Sequence, residues 1–352
     1  MKPRTVVVAA LAVSLASAVA QVAVPCTSFA VYSDRTLYGA NFDYTPSAVR
    51  FLIEEDEVGA IFLGAFRMGG AYVTTTGLNE RGLFAVTQMV YPARAVVDHP
   101  ERDEVYIWDA FRAGLGACAA VDDVSSWIGD RRLVQYDLPQ LHTLYADPAG
   151  GAMIVECNDR QNVVTGIEGR FIVMTNFHVG DFVGKPLDEI VGSGADRYRM
   201  AYAYIEEHLG AFDFDHAFEV LRRASMSTGT VQTRHSLVLD PETLEIYIAL
   251  ERDYDHIWKV SLTERTIAAF RGFEKGPVLP LGPAGIDGAT LIGYARTQEP
   301  EPEKPALEPP AETEVTAAAG PVPREGSNLH WTISVLIVAL LAVGAVLLLD
   351  SE

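Results

Sequence analysis

The sequence predicts an α+β fold in which β-sheets are covered by layers of helix. Three observations carry that prediction. Short runs rich in β-branched and aromatic residues dominate the first part of the body, helical spacing takes over in the middle, and strand-like runs return before a second helical stretch. The 352-residue chain is 49% hydrophobic, enough for a real core in one large domain or two ordinary ones.

Strands are expected at residues 27–33, 36–42, 61–66, 71–76 and 83–90. Residues 104–114 and 121–128 carry apolar side chains at three- and four-residue spacing and predict helices. Strands then return at 142–146, 153–156 and 171–175, followed by helices at 196–209 and 214–224. Tyr198, Ala201, Tyr202 and Ile205 share one face of the first of these. A hairpin follows, its strands at 236–239 and 245–250 flanking Asp240-Pro241-Glu242-Thr243, where proline pre-sets a turn angle.

The ends read differently from the body. Lys2 and Arg4 precede an apolar run over 6–20 that ends in Ala18-Val19-Ala20, the layout of a secretory signal peptide at 1–20 with a short propeptide at 21–25. That run is too short for an ordinary membrane span. Residues 297–328 are rich in Pro, Glu and Ala and predict a stiff, extended linker. Beyond it, 331–349 is an uncharged stretch of 19 residues, long enough for a transmembrane anchor, with a C-terminal sorting signal as the alternative. Export would place the body, residues 26–296 read as one domain, on the extracytoplasmic side of the cell membrane, a single-pass arrangement.

Charge and motif content exclude several functions. With 27 Lys+Arg against 47 Asp+Glu, the net charge of −20 repels a phosphate backbone, so no nucleic-acid partner is expected. The sequence holds no Gly-rich phosphate loop, HExxH, paired CxxC or GxSxG, so neither a cofactor nor a metal is expected. His142, His178 and His235 are scattered and read as strand or turn residues. Cys26, Cys118 and Cys157 allow at most one disulfide, and pairing of the last two against two buried free thiols stays open. Whether the chain forms a homo-oligomer is also open.

Cys26-Thr27-Ser28 is the first candidate site, because it opens the first strand a few residues past the signal cleavage. An N-terminal cysteine joins a thiol nucleophile to an α-amine whose reference pKa of roughly 7.7–8.0 makes it a base near neutral pH. No separate histidine is then required. Freeing Cys26 needs a second step, autocatalytic or by a trimming protease, because Pro25 suits signal peptidase poorly. A buried structural cysteine and a lipidation site are the competing readings, the latter weakened by Pro25.

Cys26-Thr27-Ser28-Phe29-Ala30 followed by Tyr38-Gly39-Ala40-Asn41-Phe42-Asp43-Tyr44 resembles the mature start of the choloylglycine hydrolase, penicillin V acylase and acid-ceramidase-like superfamily of cysteine N-terminal-nucleophile hydrolases. Later segments are similar in the same order: Thr76-Gly77-Leu78-Asn79-Glu80-Arg81-Gly82-Leu83, residues 141–156, and Val173-Met174-Thr175-Asn176. The resemblance implies a four-layer αββα sandwich and a hydrolase of linear non-peptide amides, with a small N-acyl amide as partner. It also implies roles. Cys26 would attack, with its α-amine as base; Asp43 would hold that amine; Asn176 would donate its side-chain amide to the oxyanion, worth about 2.7–4 kcal/mol. Arg197 would keep the thiol ionised, with Arg199 as the competing choice, and Asn79, Met89 and His178 are candidates for contact with substrate.

Two departures bear on specificity. Ala40 stands where bile salt hydrolases and penicillin V acylases usually carry Arg, and Gln88-Met89-Val90-Tyr91-Pro92 replaces a segment with a substrate-facing Asn. An acyltransferase using the same site, or a catalytically silent binding module displayed at the surface, are the alternatives these departures leave open.

Overall fold

The structure is a computed structural model that describes residues 26–94, 104–135, 140–158, 161–227 and 230–297. The expected signal peptide, propeptide and transmembrane anchor, and all of the linker but its first residue, lie outside these. Among the described residues, no helix is long and apolar enough to cross a membrane.

In chain order the first six strands are β1 (Thr27–Tyr32), β2 (Thr36–Tyr44), β3 (Val49–Asp56), β4 (Gly59–Met68), β5 (Ala71–Asn79) and β6 (Phe84–Met89). A small strand β7 (Glu104–Tyr106) leads into α1 (Ile107–Ala117) and α2 (Val121–Gly129), followed by β8 (Arg132–Val134). Then come β9 (Leu141–Ala146), β10 (Ala152–Cys157), β11 (Asn162–Gly166) and β12 (Phe171–Met174), and the helices α3 (Ala195–His208) and α4 (Phe214–Ala224). The last part is β13 (Gln232–Asp240), β14 (Glu245–Leu250), β15 (Asp253–Ser261), β16 (Thr266–Arg271), β17 (Val278–Pro280), β18 (Ile286–Asp287) and α5 (Gly288–Arg296).

Two eight-stranded antiparallel sheets result. One runs β12-β1-β2-β13-β14-β15-β16-β17, the other β11-β10-β9-β6-β5-β4-β3-β18, and β7 pairs with β8 in parallel beside them. Period-two alternation sends Tyr38, Ala40 and Phe42 of β2 toward the second sheet, where they join Phe51, Phe62, Phe84, Leu144 and Ile154 in one apolar cluster. On the outer face of the second sheet, Phe111 and Leu115 of α1 and Val124 and Ile128 of α2 pack on Ile61, Leu63, Ala85 and Tyr145. On the outer face of the first, Ala201 and Ile205 of α3 and Ala217 and Leu221 of α4 pack on Phe29, Val31, Val173 and Val238. Helix, sheet, sheet and helix are thus stacked in that order, the α+β sandwich expected from the sequence.

Local chemistry explains where the elements begin and end. Asp213 caps α4 by accepting the His216 N–H at 3.0 Å, which fixes its start at Phe214. In the β13–β14 hairpin, Asp240 Oδ1 accepts the N–H groups of Glu242 and Thr243 at 2.9 and 3.1 Å. The helix expected at 104–114 begins three residues later, because Glu104, Val105 and Tyr106 pair with β8. Several elements were not anticipated: β3, whose alternation ends in Glu54-Glu55-Asp56; the charge-rich β15 and its neighbour β16; the edge strands β17 and β11; and α5. Cys118 and Cys157 are free, buried thiols.

The Tyr38 and Phe84 rings, one from each sheet, stack with centroids 5.0 Å apart at the centre of the sandwich. Phe84→Ala is expected to cost about 3–5 kcal/mol in urea unfolding with the denaturant slope unchanged. A loss under about 1 kcal/mol would contradict close packing between the sheets at that point.

Candidate active site

Strand pairing brings distant residues to Cys26. β1 pairs with β2 through Thr27 and Asn41 and with β12 through Ser28 and Met174. Continuing these registers past Thr27 and Ser28 sets Cys26 between the end of β2, where Asp43 lies, and Asn176 just beyond β12. β13 flanks β2 on the other side, with Thr233 opposite Asp43. Helix α3 supplies Arg197 from its first turn. Gly194 before that helix has a φ of 77°, and a side chain there would collide with the Arg197 guanidinium.

The four residues the motifs singled out form one buried group. Cys26 N donates to Asn176 Oδ1 at 2.8 Å. Arg197 donates from Nη1 to the Cys26 carbonyl and, at 2.7 Å, to Thr27 Oγ1, and from Nη2 to Asn176 Oδ1 at 2.7 Å. Asn176 Nδ2 donates to the Met89 carbonyl at 2.7 Å. These partners fix the amide orientation, since two donors converge on Oδ1 and an acceptor faces Nδ2. The Cys26 Sγ lies 4.0 Å from the Asp43 carbonyl, and Thr233 Oγ1 donates to Asp43 Oδ1 at 2.5 Å. Among the described residues, Asp43 Oδ2 is buried without a hydrogen-bond partner.

Burial dominates the electrostatics. It pushes the Cys26 thiol up to about 12, with the Asp43 charge adding to the rise, and the Asp43 carbonyl and Arg197 only partly opposing. Burial also raises the Asp43 carboxyl to about 7, against the hydrogen bond from Thr233 and the charge of Arg197. It lowers the Arg197 guanidinium, which Asp43 and Cys26 counteract. The thiol is therefore protonated at neutral pH and needs a base to become a nucleophile. Among the described residues, no histidine stands ready. His178 bonds the Pro92 carbonyl through Nε2 at 3.0 Å, and His235 is sealed between Phe42 and Phe51 with burial pushing it down to about 3.

A cavity of about 220 Å³ opens beside Cys26, walled chiefly by Phe42, Tyr44, Phe66, Met68, Met89 and Trp108. Its lining is apolar and aromatic, suited to a hydrocarbon or aryl group rather than to a charged one. Met89 of the anticipated substrate contacts is there. The other two are elsewhere. Asn79 spends Nδ2 on the Leu115 and Cys118 carbonyls at 3.0 and 2.8 Å, and Oδ1 on the N–H groups of Arg81 and Leu83 at 3.0 Å each, so it ties a turn to the end of α1. His178 faces Glu156 and Pro92, away from that cavity.

Two roles also change. The oxyanion role implied for Asn176 is not the one this geometry displays, because its carbonyl oxygen holds the Cys26 nitrogen. Arg197 grips the nucleophile's carbonyl rather than its sulfur, while Arg199 bonds the Ile190 carbonyl and takes no part. Thr27, Thr233 and the aromatic wall were not foreseen. Only Thr27 carried a signal, as the second residue of the Cys-Thr pair.

No protein-family model matches the sequence, and neither does any curated protein. Solved structures do. Two variants of the conjugated bile acid hydrolase from Clostridium perfringens align over 70% of this chain and 96–97% of theirs, with TM-scores of 0.51 and 0.52 and 15% and 14% identity. The penicillin V acylase from Agrobacterium tumefaciens aligns over 70% of this chain and 91% of its own, with a TM-score of 0.52 and 16% identity. At such identities the likeness is one of fold: the described part of this chain has the two-sheet sandwich of those proteins.

Proposed function

We propose that this chain is an amidase that cleaves a linear, non-peptide amide with an apolar acyl group, using Cys26 as an N-terminal nucleophile once the residues before it are removed. The observation that carries this reading is the convergence of the Cys26 nitrogen, Asp43, Asn176 and Arg197 in a buried group that opens onto an apolar cavity. Support comes from the fold, which is shared with a bile acid hydrolase and a penicillin acylase.

The chemistry follows from what the site lacks. A protonated thiol with no histidine beside it needs another base, and removal of residue 25 would turn the Cys26 amide into an α-amine. That amine would sit where Asn176 Oδ1 already accepts the nitrogen. It takes the thiol proton as sulfur attacks the amide carbonyl, and returns it to the leaving nitrogen as the C–N bond breaks. The resulting thioester is hydrolysed by water, which the same amine deprotonates. Arg197 and Asn176 hold the nucleophile's backbone, so that little motion is needed on the way to the transition state. Asp43, whose Oδ2 has no hydrogen-bond partner among the described residues, would be the carboxylate that balances the protonated amine.

Replacing Cys26 by Ala is expected to abolish hydrolysis of octanoyl and phenylacetyl p-nitroanilides, a loss of at least about 1,000-fold in kcat. The wild type, but not the variant, should carry an acid-stable acyl adduct in a rapid-quench mass spectrum. Equal hydrolysis by the two would sink the proposal.

The raised Asp43 carboxyl has a consequence for stability before processing. Its folded pKa of about 7 exceeds the ordinary 3.8, so the stabilisation is fully present below about pH 3.8 and lost as pH rises toward 7. Between pH 5 and 8 the unprocessed Cys26→Ala chain should lose about 2–3 kcal/mol, at roughly 1.4 kcal/mol per pH interval of one. Addition of Asp43→Asn should remove that decline in urea titrations; an unaltered decline would place its origin in other groups.

A further inference from the structure

Two loops meet beside the candidate nucleophile, residues 89–94 after β6 and 176–181 after β12. Their contacts form a short zipper. Asn176 Nδ2 reaches the Met89 carbonyl, Tyr91 N donates to the Asn176 carbonyl at 2.7 Å, Tyr91 and Phe177 form a parallel bridge, and His178 Nε2 donates to the Pro92 carbonyl at 3.0 Å.

Under this zipper lies Glu156, near the end of β10 and only 2% exposed. Its Oε2 accepts Gly180 N at 2.8 Å, and its Oε1 accepts Val179 N at 3.2 Å and faces His142 Nδ1 at 3.3 Å. His178 Nδ1 stands 3.2 Å from the same oxygen, off the line a hydrogen bond would take. Among the described residues, these two imidazoles are the basic side chains within 4.0 Å of its carboxylate. Burial alone would raise this carboxyl, but the hydrogen bonds from His142 and the Gly180 backbone, with the His178 ring close by, hold it well below the usual carboxylate range. A side chain at position 180 would press on Glu156 Oε2, at 3.2 Å, and on Val163, at 2.7 Å, so glycine there permits the close approach.

Glu156, His142 and His178 do not line the cavity beside Cys26. We propose that Glu156 is a positioning residue: a buried anion that anchors the 177–180 turn from below and thereby holds the Asn176 side chain against both the Cys26 nitrogen and the Met89 carbonyl. The proposal rests on the reading of Cys26 as nucleophile. A buried carboxylate receiving two backbone N–H groups from one turn restrains a loop far more tightly than apolar packing does, because both N–H groups and the carboxylate would be left unpaired if the loop moved.

The test is steady-state hydrolysis of octanoyl p-nitroanilide by the full-length protein, with active sites counted by a thiol-directed electrophile at Cys26. Glu156→Gln keeps the shape and one acceptor but removes the charge; kcat per labelled site is expected to fall about 10-fold with KM within about twofold, since the acyl cavity is untouched. Glu156→Ala is expected to fall about 100-fold, the scale of an ångström of misplacement, where it folds. A purely structural role would lower the melting temperature and the number of labelled sites while leaving kcat per site unchanged in Glu156→Gln, and that result would overturn the proposal. A wild-type chain that neither labels at Cys26 nor hydrolyses the anilide fails at the earlier step, the assignment of the nucleophile.

Discussion

The Asn176 side-chain oxygen is the point on which the site depends. It accepts the Cys26 N–H at 2.8 Å and an Arg197 N–H at 2.7 Å, so three segments far apart in the chain share one acceptor. Each segment arrives by a different route. β1 carries the cysteine, the end of β12 carries the asparagine, and the first turn of α3 carries the arginine over Gly194. The sandwich of two sheets and two helix layers is what makes these routes meet, because α3 packs on the outer face of the sheet to which β1 and β12 belong.

Burial gives this arrangement both its cost and its use. A guanidinium, a carboxyl and a thiol are withdrawn from water together, and each responds: the thiol and carboxyl are pushed up, the guanidinium down. Desolvation of that kind is tolerable only where polar groups find partners. Arg197 finds three acceptors. Asp43 is half satisfied, by Thr233, with its second oxygen unpartnered. A buried carboxylate oxygen left without a partner among the described residues is costly, and in the proposed mechanism the protonated Cys26 amine would offset that cost. The cavity walls of Phe42, Phe66 and Trp108 extend the same low-dielectric environment outward, where it strengthens any charge that develops on sulfur or oxygen.

Much of the framework was legible in the sequence because local chemistry spelled it out. Helix α4 was placed to the residue, and the β13–β14 hairpin was announced by Asp240-Pro241. Cys26, Asp43, Asn176 and Arg197 were all legible as candidates through motif resemblance, and they do converge. What was not legible came from tertiary context. Asn79 looked like a substrate contact because it sits in a turn segment that resembles the family's, yet its four hydrogen bonds serve the turn and α1. The direction of the Asn176 amide depends on Met89 and Arg197, remote partners that no local pattern reveals. Strand β16 and the edge strand β17 beside it draw their stability from neighbours rather than from their own alternation, which is why periodicity passed over them.

The central claim is that Cys26 works as an N-terminal residue. Intact-mass measurement and N-terminal sequencing of the purified mature protein, beside a Cys26→Ser version, test it most directly. The account predicts a mature chain that begins at Cys26 and is active. A fully active chain that still carries residues before Cys26 would contradict it, because its nitrogen would be an amide and incapable of taking the thiol proton.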